Sequence, residues 1–287
     1  MNEKILRLMV IISFTAYCHN LFAQESLIKV PVEYIYDSTK MIDLKAYVFS
    51  PSEKREVNPA IVIFHGGGWD IGEASWAFGL AEKYAQKGMV AIAAQYRLSD
   101  QETTSPIDAM EDARNIILWM RDNAKELGID KDKIAAYGWS AGAHLAASTA
   151  VFKTIDTQNN KNSVPNALIL VSPGLSLNKD NWFKKLIGED KNPNDYSPAE
   201  HLKENMPPSI IVVGIDDTVT PVYQSKLFHE NMLKYGNESY LHMYEGVGHL
   251  FTPSDQPDNA YPNPYEEIQG KAYHEIDLFL KKLGYIR

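Results

Sequence analysis

The chain has 287 residues, 45% of them hydrophobic, which is enough to bury a large core in a single domain. Its formal net charge of -9 argues against nucleic acid or an anionic membrane as a partner, because both are polyanions. The one cysteine, Cys18, has no second cysteine with which to form an internal disulfide.

The N-terminus has the pattern of a signal peptide. Two basic residues precede the apolar run Leu8 to Phe14, and Ala23 offers a small residue before a cleavage point at Gln24. The apolar run is too short for a permanent bilayer span. We therefore expect residues 1–23 to be removed, the protein to be exported to the periplasm or the medium, and residues 24–287 to form one domain. A disordered N-terminal extension is the alternative.

Strand-like and helix-like segments then alternate along the chain. The first half predicts strands over Ile28 to Tyr36, Leu44 to Phe49, Ala60 to Phe64 and Met89 to Gln95, with helices over Trp76 to Gln86 and Ile107 to Leu127. The second half predicts strands over Lys133 to Tyr137, Ala167 to Val171, Ser209 to Val213 and Tyr240 to Tyr244, with helices after Ser140 and over Tyr265 to Leu283. Repeated β–α units with continuous apolar strands predict an α/β fold: a predominantly parallel central sheet, helices on both faces and antiparallel N-terminal strands.

Two polar segments, residues 172–207 and 252–264, interrupt this alternation and are rich in Pro, Asn and Asp. Long loops in compact domains commonly form lids or binding walls. We expect both segments to border a functional site, and a plain surface excursion is the alternative.

A nucleophile elbow is indicated by Gly138-Trp139-Ser140-Ala141-Gly142, which follows a predicted strand and opens a predicted helix. The tight turn projects the serine oxygen from the carboxyl end of the strand, over a helix N-terminus whose partial positive charge favours a developing anion. We therefore expect Ser140 to be a nucleophile and not a structural serine at a β–α turn.

A glycine-rich loop, His65-Gly66-Gly67-Gly68-Trp69, follows the first buried strand. Glycines let backbone N–H groups approach the carbonyl oxygen that becomes negative during acyl transfer. We assign the amides of Gly67, Gly68 and Ala141 as the oxyanion hole, and the side chains of Trp69 and Trp139 as candidate substrate contacts. For Trp69, simple packing is the alternative. A phosphate-binding loop is disfavoured, because no Lys-Ser or Lys-Thr pair follows.

A serine alcohol needs a base, and the base needs an orienting carboxylate. Of the eight histidines, His249 follows the last predicted strand in a glycine-flanked loop, which can bring its imidazole to the carboxyl edge of the sheet. Asp216 and Asp217 both follow the strand ending at Val213. Adjacent side chains point in different directions, so only one can reach the histidine, and the turn indicated by the residues after it favours Asp217.

Other polar and aromatic groups have two interpretations each. Asp108, Glu111 and Asp112 could act as paired glycosidase carboxylates, but a solvated or capping helix face is the expected role. The aromatic residues Trp182, Phe183, Tyr223 and Tyr261 either stack on a sugar or an aromatic acyl group, or pack in the core. No Cys/His set has the spacing of a zinc site, and we expect neither metal nor cofactor.

Five motifs occur in a fixed order: HGGGW (65–69), QYRL (95–98), GWSAGAHLA (138–146), GIDDTVTP (214–221) and GVGH (246–249). Together they resemble the esterase/lipase branch of the α/β-hydrolase superfamily, whose triad order is also Ser, Asp, His. The GWSAGAHLA stretch is most similar to secreted bacterial acetyl xylan and feruloyl-type carbohydrate esterases. Two departures favour this smaller branch over the hormone-sensitive-lipase branch: Trp139 replaces the acidic residue usual before the serine, and strands are predicted where that branch has a helical cap.

The resemblance implies a secreted serine esterase with the α/β-hydrolase fold and with Ser140, Asp217 and His249 as its triad. The implied substrate is a small ester or an acylated oligosaccharide carrying acetyl or feruloyl groups. A serine peptidase or an arylformamidase on the same fold is the alternative among enzymes, and a binding module with an inert triad is the alternative outside them. The sequence fixes neither the acyl group, nor the alcohol, nor the oligomeric state.

Overall fold

An eight-stranded sheet forms the centre of this computed structural model, which describes residues 30–51, 55–100, 103–153, 155–156, 161–257 and 262–287. The first strands are β1 (Val32–Ser38), β2 (Asp43–Phe49), β3 (Asn58–Phe64), β4 (Val90–Ala94) and β5 (Ile129–Trp139). After a separate hairpin of β6 (Ile155–Asp156) and β7 (Lys161–Asn162), the sheet continues with β8 (Ala167–Val171), β9 (Ser209–Gly214) and β10 (Ser239–Tyr244).

The sheet order is β1-β2-β4-β3-β5-β8-β9-β10. Strands β1 and β2, and β2 and β4, pair antiparallel, whereas the other neighbours pair parallel. The predicted α/β class, with a mostly parallel sheet and antiparallel N-terminal strands, is thereby confirmed. The parallel arrangement brings the carboxyl ends of β3, β5, β9 and β10 to one edge, where the candidate site lies.

Helices cover both faces of the sheet, which explains why every residue of β3, β4, β8 and β9 is buried. The helices are α1 (Phe78–Gln86), α2 (Pro106–Asp122), α3 (Ala124–Leu127), α4 (Ala141–Val151), α5 (Asn181–Ile187), α6 (Tyr223–Lys234) and α7 (Glu266–Lys282). Side chains of α1 and α7 pack in one core cluster, and those of α2, α4, α5 and α6 pack in the other. Among the described residues, no helix combines the length and apolar character needed to cross a bilayer.

Several elements differ from the sequence prediction. The helix expected over residues 107–127 is interrupted at Asn123, whose side-chain amide donates to the carbonyl of Trp119 and ends α2. Strand β5 begins at Ile129, four residues before the predicted start. The polar segment 172–207 contains α5 and two short 3₁₀ turns, Pro193–Tyr196 and Pro198–Glu200. The predicted signal peptide and Tyr261 lie outside the described residues.

Candidate active site

Ser140 sits on a strained turn between β5 and α4. Its backbone has φ 53° and ψ -123°, a conformation that L-residues rarely adopt and that is typical of functional positions. The flanking glycines make the turn sterically feasible, because a Cβ on Gly138 would lie 2.1 Å from the carbonyl oxygen of Gly142, and one on Gly142 would lie 2.2 Å from that of Phe64. The elbow predicted from the sequence is therefore present in the backbone.

Ser140, His249 and Asp217 form one hydrogen-bonded chain. The Oγ of Ser140 lies 3.0 Å from Nε2 of His249, and Nδ1 of His249 lies 2.9 Å from Oδ2 of Asp217. When Nδ1 carries the imidazole proton and donates it to the carboxylate, Nε2 is left to accept the serine proton. The structure thus brings together the three side chains that the sequence predicts as nucleophile, base and acid.

The carboxylate of Asp217 is surrounded by donors. Its Oδ1 accepts hydrogen bonds from the backbone amides of Val219 (3.0 Å) and Thr220 (2.7 Å), and the hydroxyl of Thr220 lies 2.9 Å from Oδ2. Asp216 points elsewhere and accepts a bond from Ser254 at the surface. The sequence motifs do not single out Thr220 as a site residue. The pattern that indicates it is an aspartate followed, three positions later in a turn, by a residue with a hydroxyl group.

The loop that carries His249 is held in place. Its next residue, Leu250, donates its amide to the hydroxyl of Ser172, 3.1 Å away, and the amide of Asp216 donates to the carbonyl of Val247. A Cβ on Gly214 would lie 2.3 Å from the Val247 carbonyl oxygen, so β9 and this loop are in close contact. The loop thus holds the imidazole of His249 beside Ser140.

The glycine loop packs against the elbow. A Cβ on Gly66 would lie 2.8 Å from the ring of Trp139, and Gly67 and Gly68 both have positive φ, 116° and 56°. Both line the cavity in front of Ser140, and their amides have no hydrogen-bond acceptor among the described residues. The amide of Ala141 opens α4, where helix amides lack intrahelical acceptors. The three predicted oxyanion-hole donors therefore lie in the two segments that border the nucleophile.

The QYRL segment supports the glycine loop from behind. The hydroxyl of Tyr96 donates to the carbonyl of His65, and the two rings stack with centroids 4.4 Å apart. The amide of Ser99 donates to the carbonyl of Trp69 at 2.8 Å. This packing buries His65 and lowers its pKa to about 4, so the ring is neutral at pH 7. A structural role for His65 agrees with this environment.

Arg97 anchors the same segment to α2. Its guanidinium bonds to the fully buried carboxylate of Asp112 through two nitrogens, and it also reaches Asp108 and Glu111. The hydrogen-bonded Asp112 raises the pKa of Arg97. Asp108 additionally caps α2 through Ser105, as expected. Asp112 is fully buried and does not belong to the predicted solvated face. Its charge is compensated inside the protein by the ion pair with Arg97.

A cavity of about 1120 Å³ opens in front of Ser140. Three large, exposed aromatic side chains line it: Trp76, Trp182 and Tyr223. Trp139 also lines the cavity and is partly buried. Phe183 is fully buried, which favours the packing alternative for that residue.

Trp69, the other candidate substrate contact, borders the cavity but is only 4% exposed. Its indole N–H donates to Nδ1 of His144 at 3.1 Å, and its ring packs edge-on against Phe183. Most of the Trp69 side chain therefore packs in the core.

The described residues contain no group of three or more His, Cys, Asp or Glu side chains suited to hold a metal ion. The segment after β9 reaches the cavity through Thr218 to Pro221. The segment after β8 reaches it through Lys179 to Trp182, so residues 172–207 border the site. Pro262, from the second polar segment, also contributes to its wall.

The chain is similar to several known proteins. The structure superimposes on that of esterase 2 from Thermogutta terrifontis with a TM-score of 0.78 and 32% identity, covering 92% of this chain and 98% of that one. A probable isoprenylcysteine alpha-carbonyl methylesterase from Arabidopsis thaliana is 27% identical over 70% of this chain and 47% of its own length. Endo-1,4-beta-xylanase B from Butyrivibrio fibrisolvens is 27% identical over 68% of this chain and 33% of its own length.

The fold and the esterase and methylesterase relatives place the chain among the esterases of the α/β-hydrolase superfamily, as the motifs predict. The BD-FAE family model matches residues 47–232. The chain belongs to the BD-FAE family. It spans about half the length of the first curated relatives that it matches.

Proposed function

We propose that this protein hydrolyses carboxylic esters with Ser140 as nucleophile, His249 as base and Asp217 as the orienting acid. The observation that carries the proposal is the continuous chain of contacts from Ser140 Oγ through the imidazole to the Asp217 carboxylate, at 3.0 and 2.9 Å. Both distances are those of hydrogen bonds that can transfer and orient a proton.

In the proposed reaction, the oxygen of Ser140 attacks the ester carbonyl while His249 takes its proton at Nε2. The resulting oxyanion accepts hydrogen bonds from the amides of Gly67, Gly68 and Ala141. Collapse of the tetrahedral intermediate breaks the bond to the alcohol, which leaves with the proton from His249. Water then attacks the acyl-enzyme with His249 as base, and the acid is released as Ser140 regains its proton. Loss of one preorganised donor of this kind costs about 3 kcal/mol of barrier.

The substrate class that we propose is an ester of an acetyl or feruloyl group with a carbohydrate. Exposed aromatic side chains in an open cavity offer flat apolar faces on which sugar or aryl rings can stack, and Trp76, Trp182 and Tyr223 have that exposure. The cavity volume of about 1120 Å³ exceeds what a simple acetyl ester needs. The xylanase relative adds support, since its name concerns a plant polysaccharide.

Export is the second part of the proposal. It depends on the sequence of residues 1–23 alone, in which a basic start, an apolar run and a small residue at Ala23 precede Gln24. An exported esterase meets polymeric carbohydrate outside the cell, which agrees with the proposed substrate. Sequencing the N-terminus of the secreted protein tests this part independently of activity.

The decisive experiment compares purified wild type and Ser140→Ala on 4-nitrophenyl acetate, longer acyl esters, a feruloyl ester, acetylated xylo-oligosaccharide, N-formylkynurenine and a peptide. We expect hydrolysis of the esters by wild type, and loss of that activity with unchanged folding in the variant. Ser225→Ala is the matched control, because Ser225 is also buried and its hydroxyl has no partner among the described residues.

Each alternative function predicts a different result. Preferential turnover of N-formylkynurenine or the peptide would favour an arylformamidase or a peptidase. Absence of turnover together with no labelling by a fluorophosphonate probe would favour a binding module with an inert serine. Undiminished ester hydrolysis in Ser140→Ala would refute the assignment of the nucleophile.

A further inference from the structure

The carbonyl groups of the glycine loop are all engaged, and one of them has an unusual partner. The carbonyl of Gly66 lies 2.6 Å from the His65 ring, and that of Gly67 accepts bonds from the amides of Asp70 and Ile71. These partners lie no more than four residues away along the chain. The carbonyl of Gly68 instead accepts a hydrogen bond of 3.1 Å from the indole N–H of Trp182, 114 residues further along the chain.

Trp182 is presented to the loop by α5. The side chain of Asp180 caps this helix by accepting from the amide of Phe183. The ring of Phe183 is fully buried and packs edge-on against Trp69 and His144. Phe183 thereby attaches α5 to the glycine loop through Trp69. Trp182, the residue before Phe183, stays 38% exposed at the cavity wall.

The bond restrains a glycine of the loop that has positive φ. Gly68 has φ 56°, and a glycine loses more conformational freedom on folding than any other residue. In a trans peptide the N–H points away from the preceding carbonyl, so the Gly67 carbonyl bonds fix the direction of the Gly68 N–H. The Trp182 bond fixes the next peptide plane. Both planes that meet at Gly68 are then held before substrate binds, as an oxyanion donor requires.

We infer that Trp182 is a positioning residue, whose indole N–H holds Gly68 in the conformation that directs its amide to the oxyanion. This inference rests on the proposed ester hydrolysis and adds to it. The polar segment 172–207 then has a role in transition-state stabilisation, besides its contribution to the cavity wall. Stacking on substrate needs only the ring of Trp182, whereas positioning needs its N–H.

Trp182→Phe separates these two roles, because phenylalanine keeps an aromatic face and lacks the N–H donor. We expect kcat on 4-nitrophenyl acetate to fall about 3- to 10-fold, the loss typical of one hydrogen bond, with KM nearly unchanged. The affinity for a trifluoromethyl ketone, which forms a tetrahedral adduct with serine, should fall by the same factor. Trp119→Phe is the control for the substitution itself: Trp119 packs on Tyr34, does not line the cavity and should leave both quantities unchanged.

A second measurement does not depend on turnover. Hydrogen–deuterium exchange of the peptide covering residues 65–72 should be faster in Trp182→Phe than in wild type, with equal thermal unfolding temperatures, and should stay unchanged in Trp119→Phe. If the protein hydrolyses no ester but exchange still increases, the proposed function fails and the positioning contact stands. If kcat, ketone affinity and exchange all match wild type, or only KM for aromatic or sugar esters changes, Trp182 is a cavity wall and the inference is wrong.

Discussion

The hydroxyl of Thr220 lies 2.9 Å from Oδ2 of Asp217, the carboxylate oxygen that also faces the imidazole. The same hydroxyl oxygen is 3.2 Å from Nδ1 of His249 and 3.0 Å from the carbonyl of Ser172. Thr220 therefore joins the segments after β8, β9 and β10 at one point, and it fixes the acid relative to the base.

Thr220→Val should lower kcat/KM about tenfold, because valine keeps the shape of the side chain and replaces the hydroxyl by a methyl group. It should also cost about 1–3 kcal/mol of stability, because the buried Ser172 carbonyl loses its donor. Thr220→Ser should recover most of the activity, since serine restores the hydroxyl. Initial rates on 4-nitrophenyl acetate, with thermal unfolding in parallel, test both variants. Equal activity in the valine variant and wild type would show that the backbone amides alone hold Asp217.

The two adjacent aspartates provide a matched pair for the acid. Asp217→Asn should reduce kcat by about four orders of magnitude, because an amide favours the wrong imidazole tautomer and cannot stabilise the charged ring. Asp216→Asn should keep near-wild-type rates, since the carboxylate of Asp216 faces away from His249 and accepts a hydrogen bond from Ser254 at the surface. Steady-state measurement of kcat for the two variants tests this prediction. A larger loss of kcat in Asp216→Asn than in Asp217→Asn would assign the role of the acid to Asp216.

Close backbone contact at the elbow makes Gly142 intolerant of a side chain. Gly142→Ala would place a Cβ 2.2 Å from the carbonyl oxygen of Phe64, so we expect destabilisation by about 2 kcal/mol and a large loss of activity. Gly270→Ala is the control: a Cβ there meets nothing within 4 Å in α7, and alanine should stabilise the helix by up to about 1 kcal/mol. Denaturant unfolding measures both, and wild-type stability of Gly142→Ala would contradict the tight turn.

Burial of His144 predicts acid sensitivity. Its Nδ1 accepts from Trp69 and its Nε2 lies 2.9 Å from the Tyr196 carbonyl, and burial lowers its pKa from 6.5 to about 4. Between those values the unfolded chain binds the proton and the folded protein does not. Stability therefore falls as pH drops from 6.5 towards 4, by up to about 3 kcal/mol from this group, and falls no further below 4.

The variant His144→Gln should be less stable than wild type at pH 7.5, because it disturbs the Trp69 contact, but should lose less stability on acidification. Thermal unfolding temperatures measured from pH 7.5 to pH 4.5 give the two slopes. His274→Gln, on the exposed surface of α7, is the control for replacing a histidine. Identical acid slopes for His144→Gln and wild type would disprove the contribution of His144.

The sequence alone determined the class of fold and the order of the sheet strands and of most helices, because continuous apolar runs, capping residues and glycines are local signals. It assigned no residue range to α5 or α6. The five motifs also indicated which residues meet at the carboxyl edge, since the carboxyl ends of β5, β9 and β10 lie at the same edge whenever the sheet is parallel. The choice of Asp217 over Asp216 needed the turn after β9, and the structure brings Asp217, not Asp216, to His249.

Only the tertiary structure decided the contacts between distant segments. The bond from Trp182 to Gly68, the contact of Leu250 with Ser172 and the burial of Asp112 beside Arg97 join residues with no common periodicity or spacing. Polar segments such as 172–207 carry little local signal, because a seven-residue helix such as α5 and short 3₁₀ turns are too short to be stable alone and depend on packing against other elements. For that reason the elbow can be identified from nine residues, whereas the wall of the cavity required the whole fold.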